Sequence, residues 1–243
     1  NFEKRRAERR TLERGWELNM NFLAGNQYCD VGPTGKIEEE EPRFYWQYRR
    51  VFNHIAPAID TRCAKLSRVR PDLTVRTASD QESDLRTAKT ASAVLRSVCE
   101  ENALSDVMSK ATVWSETCGT SFYKVLWDKN AGRLLGESGG EAVYEGGVRI
   151  ACVSPFEIYP DDLGCEEVED LRSLIHARAM PAEEIFERYG VRVKGREIEE
   201  FSLSPRSSSM HFAGGLGART KGGMKNAEIV IEKYEKPTAG LPR

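Results

Sequence analysis

Apolar residues recur at steps of three and four through the first half of the chain, the spacing of helices that bury one face. Over 1–24 the face is Leu12, Trp16, Met20 and Leu23, and Gly25 is a natural stop. The longest pattern runs over 43–71, where Phe44, Tyr48, Val51, Phe52, Ile55, Ile59, Cys63 and Leu66 predict a half-buried helix. Its opposite positions, Arg49, Arg50, Asp60, Arg62, Lys65 and Arg68, are charged. Pro57 has no N–H, so the carbonyl of Asn53 loses its partner and the helix is expected to bend there. Pro71 ends it. Between these helices, 26–41 reads as a connector with Gly-Pro-Thr-Gly turn chemistry and an acidic run. Ser79 and Glu82 have capping-box spacing and predict a helix to about 102, with Leu85, Ala88, Ser92, Leu95 and Cys99 on one face. A fourth helix follows over about 105–117, ended by Gly119.

The period then shortens to two. Residues 120–127 are β-branched and aromatic, and 133–137, 141–145 and 147–153 read as further strands around glycine turns. Residues 155–160 form an extended run bounded by prolines, and 171–178 alternates loosely. Pro181 at the first helical position opens a short helix that Gly190 closes. Residues 202–226 are rich in Gly, Ser and basic residues and read as a flexible loop, and 227–236 alternates as a closing strand. The class is therefore α+β: four helices, then a mostly antiparallel β-rich half with one short helix. The division is 1–119, 120–201, the loop 202–226, and 227–243.

Composition narrows the chemistry. The 243 residues carry a net charge of −2, so the chain as a whole does not bind polyanions by bulk charge. No apolar run approaches the roughly 20 residues that span a bilayer, so no membrane partner is expected. The six cysteines lie far apart without CxxC or zinc spacing and read as reduced, buried thiols of a cytosolic protein; no metal or cofactor is expected. Lys4, Arg5, Arg6, Arg9, Arg10 and Arg14 make the first helix basic. This is either a solvated face with Lys4–Glu8 and Arg9–Glu13 pairs, or an arm that meets phosphate or an acidic neighbour. Gly136-Glu-Ser138-Gly-Gly140 fits the GxSxG pattern of serine hydrolases, but that elbow needs a helix after the serine, and a strand or turn is expected here. His54, His176 and His211 lack flanking motifs, and the acidic run 161–170 lacks EF-hand spacing. No catalytic residue is assigned.

Several segments in order resemble the tailed-bacteriophage portal proteins. Trp16 through Gly25, Asn26 and Gln27 looks like the family's early helix and Gly-Asn-Gln turn. The segment 52–71, with Asn53, Pro57 and Pro71, looks like its Asn-containing helix running into proline and a strand. Segments 80–97, 120–128, 148–162 with Pro155, 180–190 and 229–237 resemble the helix, sheet, proline-bounded turn, short helix and closing strand that follow. The resemblance implies a non-enzymatic structural subunit of the wing part of a dodecameric ring. Such a ring sits in the virion at one capsid vertex, is assembled in the bacterial cytoplasm, and carries double-stranded DNA. Implied partners are further copies of the chain, the terminase large subunit, a head–tail adaptor, and capsid and scaffolding proteins. Both ends look cut, so the stem and tunnel regions of such a protein are expected to lie outside this chain. Arg49, Arg50, Arg62 and Arg68 are the candidate subunit-interface residues. The alternatives are a nucleic-acid-binding module using the basic first helix and a hydrolase using Ser138.

Overall fold

The computed structural model describes residues 1–35, 37–39, 44, 46–69, 73–77, 79–138, 141–198 and 224–237. Pro71, His211 and nearly all of the 202–226 loop lie outside these residues. The α+β order holds: four helices, then antiparallel strands with one further helix.

Helix α1 spans Phe2–Leu23 and stops as expected, because Gly25 takes φ +91°, a conformation open to glycine. Its buried stripe differs from the expected one. Leu12 is half exposed, whereas Arg5, Arg9, Met20 and Leu23 are buried. The connector is a hairpin in which β1, Cys29–Val31, pairs antiparallel with β2, Ile37–Glu39.

The helix expected over 43–71 is much shorter: α2 spans Ile55–Leu66, and residues 47–54 are not helical. The reason is Asn53. Its Oδ1 accepts from the N–H groups of Ile55 and Ala56, both at 3.1 Å, as an N-capping side chain does. Pro57 therefore sits in the first turn, where its missing N–H has no intrahelical partner to lose, and the expected bend does not exist. No residue of α2 is fully buried; Ala56, Ile59 and Cys63 are partly covered along one face, and Ile55 and Leu66 stay exposed.

Helix α3, Glu82–Glu101, starts two residues later than the capping box implied. Ser79 turns its hydroxyl to the Asp84 carboxylate instead, and Gln81 is the N-cap without a side-chain bond. Helix α4 spans Leu104–Cys118 and ends at Gly119 in the left-handed conformation. It supplies the helical core, with Val107, Ala111, Val113 and Cys118 buried, whereas α3 buries only Ala88.

The β-rich half has three parts. Strands β3, Phe122–Asp128, and β6, Gly147–Val153, form an antiparallel ribbon. Between them in sequence lies a second hairpin, β4 (Leu134–Ser138) with β5 (Glu141–Tyr144). Asn102, at the end of α3, covers the outer edge of β6 by accepting from Ile150 N–H at 2.9 Å and donating to the Val148 carbonyl at 2.8 Å. The largest sheet has the order β7 (Ile158–Pro160), β8 (Ser173–Pro181), β10 (Met224–Glu235), β9 (Arg196–Ile198), with every pairing antiparallel. Residues 155–157, expected to be extended, form a 3-10 turn capped by the Ser154 hydroxyl. Pro181 ends β8 and precedes α5, Ala182–Tyr189, one position earlier than the first helical one.

Strand β8 alternates loosely because both its faces are covered. Ile175 and Ala177 pack with Tyr159, Phe2 and Ile229, and His176 on the other face is also buried.

Candidate functional site

Two arginines of α1 hold the helix to the sheet. Arg9, 1 % exposed, donates from Nη1 to the carbonyls of Pro155 (3.0 Å) and Ile158, and from Nη2 to that of Phe156 (2.6 Å). It also pairs with Glu13 and lies 3.6 Å from the centre of the Tyr159 ring. Arg5 donates to the carbonyls of Tyr159 at 3.1 Å and Ser173 at 3.3 Å. These side chains satisfy a proline-interrupted turn that cannot satisfy itself, so neither is the solvated or phosphate-facing cation the sequence suggested. The signal was present: Arg5 and Arg9 fall, at helical spacing, on the stripe that leads to Trp16, Met20 and Leu23. The Lys4–Glu8 pair is an exposed ion pair, as expected.

Farther along α1, burial is the main cause that pushes the Glu17 carboxyl up to about 7, with a smaller upward push from Glu13 and an opposing pull from Arg14.

A second polar cluster joins β3 to the large sheet. Lys124 bonds to Glu232 and stands 3.0 Å from His176 Nδ1, while His176 Nε2 lies 3.0 Å from Glu157 Oε2. His176 Nδ1 also lies 3.4 Å from Glu232 Oε2, so the ring stands between Lys124 and two carboxylates. Burial works to raise the Glu232 carboxyl, but hydrogen bonds from Lys124 and Tyr234 and the Lys124 charge prevail and hold it at about 2. A cleft of about 590 Å³ opens beside the cluster, lined by Phe122, Leu126, Leu171 and Leu174 together with Lys124 and Tyr234. Sequence reading missed this cluster, whose members are spread over four segments: strand register sets His176 opposite Glu232 and Ile158, and Lys124 reaches them from a separate ribbon.

The expected site residues divide into anchors and surface. Trp16 meets Phe156 edge to face at 5.3 Å, and Pro155 is fully buried under Arg9. Asn26 is buried and bonds back to Asn21, and the Gln27 N–H reaches the Gly25 carbonyl at 3.1 Å. Asn53, besides capping α2, donates to the Leu23 carbonyl at 2.8 Å, so one side chain ties two helices together. Of the candidate interface arginines, Arg62 pairs with Glu116 at 2.7 Å within the same chain. Arg49 lies over the Tyr28 ring at 4.9 Å and Arg50 over Tyr48 at 5.5 Å, and Arg68 is exposed. Around them Trp46, Tyr48 and Phe52 are exposed to 67 %, 82 % and 70 %. These are large apolar surfaces on a segment whose pattern predicted burial.

Ser138 ends β4 and faces Glu141 of β5 in register, so its setting is strand and strand, without the helix that a nucleophile elbow requires. All six cysteines are free; Cys29 and Cys118 are buried, Cys63 and Cys99 only partly, and burial pushes the Cys118 thiol up to about 12. Among the described residues no group of three or more His, Cys, Asp or Glu could hold a metal ion, and no helix is long and apolar enough to cross a membrane. No protein-family model matches the chain, and no curated protein matches it.

Proposed function

We propose that this chain is a structural subunit of a portal-like ring, in which the region 44–69 meets neighbouring copies. The observation that carries this reading is the exposure of an amphipathic region: α2 has no fully buried residue, and Trp46, Tyr48 and Phe52 just before it are mostly in water. Exposed contiguous apolar surface marks an interaction site, and Trp, Tyr and Arg are the residue types that anchor interfaces. The order of elements supports the portal reading in particular. A long helix, a Gly-Asn-Gln turn, a proline-containing helix, two more helices, a sheet, a proline-bounded turn, a short helix and a closing strand follow the segments on which the resemblance rests.

On this reading the chain performs no bond chemistry. Its work is geometric: charged and aromatic faces close a ring, and the ring supplies the conduit for double-stranded DNA and the seat for a packaging motor and tail adaptors. Mass photometry of the full-length protein across nanomolar to micromolar concentrations tests this. Closed oligomers of one defined size are expected; a monomer at every concentration overturns the proposal.

A further inference from the structure

The aromatic and arginine patch at 46–52 has a complement elsewhere on the same molecule. The loop that joins β7 to β8 contains Asp161, Asp162, Glu166, Glu167, Glu169 and Asp170 and no Lys or Arg between them. Among the described residues none of these carboxylates has a cation within ion-pair distance, and Leu163 and Val168 stand half exposed among them. The loop thus offers an acidic surface with two apolar points, and the patch offers Arg50, Trp46, Tyr48 and Phe52 beside Arg49.

The fold keeps the two apart. Arg5, near the start of α1, bonds the carbonyls of Tyr159 and Ser173 at the base of the acidic loop. Asn53 and Arg49, at the patch, bond the Leu23 carbonyl and stack on Tyr28 at the other end of α1. Arg5 and Leu23 are 18 residues apart on one continuous helix, which sets the two anchor points about 27 Å apart at 1.5 Å per residue. That exceeds the roughly 8–10 Å over which exposed charges act through physiological salt. The loop of one copy therefore lies away from the patch of the same copy.

We infer that the 46–52 patch of one copy docks the 161–170 loop of a second copy, head to tail. The two surfaces differ, so the contact is heterologous and repeats from copy to copy, closing a ring where the rotation allows. The inference rests on the ring proposed above and gives that ring its two faces. Opposite charges steer the encounter, and the aromatic side chains supply the buried anchors over Leu163 and Val168.

Mass photometry of the full-length protein tests the pairing in four forms: wild type, Arg49→Glu with Arg50→Glu, Glu166→Lys with Glu167→Lys and Glu169→Lys, and all five together. Wild type assembles. Each one-sided reversal lowers the assembled fraction at least tenfold, and an equimolar mixture of the two, like the five-site variant, assembles again. That recovery also shows that the one-sided variants are folded. If wild type stays monomeric, the ring and the pairing fall together. If wild type and both one-sided variants assemble equally, the pairing is overturned while the ring stands. Loss in both one-sided variants with no recovery in the mixture or the five-site variant overturns the pairing as well.

Discussion

Helices α1 and α2 carry similar amphipathic patterns and meet opposite fates. Helix α1 buries even its arginines, because a proline-bounded turn leaves carbonyls that only long donors can reach. Helix α2 buries no residue fully, although its apolar positions are as regularly spaced. A periodic stripe therefore states that a face needs cover without saying whether the same chain provides it. Around α1 this chain completes itself; around α2 it covers one face in part and leaves Ile55 and Leu66 exposed.

The largest expected effect falls on the completed side. Arg9→Ala removes a buried cation and leaves Glu13 unpaired and three carbonyls without their donor, which costs about 3–5 kcal/mol by urea denaturation. Arg9→Lys recovers only part of this, since an ammonium cannot reproduce the planar fork. A loss below about 1 kcal/mol for Arg9→Ala breaks the claim that this residue fastens α1 to the sheet.

Glu17 sharpens the same side through pH. Its folded-state value, about 7, is raised above its ordinary 4.5. Its contribution to stability is therefore fully present below about pH 4.5 and is lost as pH rises through about 7. Glu17→Gln is expected to stabilise the protein at pH 8 by about 1–2 kcal/mol, a figure discounted for a carboxylate still partly in water. The gain disappears at pH 4.5. Glu232 acts in the opposite sense: its value is lowered to about 2, so its contribution is present above about 4.5 and is lost as pH falls toward 2. Thermal melts of wild type, Glu17→Gln and Glu232→Gln from pH 3 to 8 separate the two.

Asn53 joins the two regions, and Asn53→Ala is expected to cost about 1–2 kcal/mol, the worth of a cap. Pro57→Ala lies at the small end, within about 0.5 kcal/mol by the same denaturation series, because a first-turn proline breaks no intrahelical bond. A loss above 2 kcal/mol for Pro57→Ala would restore a structural role for a bend. Smallest of all, Tyr48→Ser and Phe52→Ser are expected to leave the melting temperature of the unassembled chain within about 2 °C while removing assembly seen by mass photometry.

The sequence made the element order legible because turn glycines, strand alternation and helix periods are local signals. Gly25, Gly119 and Gly190 ended helices where expected. What stayed hidden depends on side chains meeting across distance. Asn53 capped a helix that its neighbours' periodicity seemed to carry through, and Ser79 bonded Asp84 and the Gln81 N–H instead of the Glu82 N–H a capping box requires. The His176 cluster needed the register of β7, β8 and β10 before its members could be recognised as neighbours. Arg5 and Arg9 were legible in principle, as charged residues continuing an apolar stripe, but their i,i+4 glutamates offered a simpler solvated reading.

Hydrogen–deuterium exchange tests most directly the claim that the face around α2 is completed by another copy. The amides of 47–66 in the assembled full-length protein are compared with those of the dilute, unassembled protein, and β8 serves as the internal reference. At least tenfold slower exchange over 47–66 on assembly, with 173–181 unchanged, is expected. Equal exchange over 47–66 in both states would contradict the account.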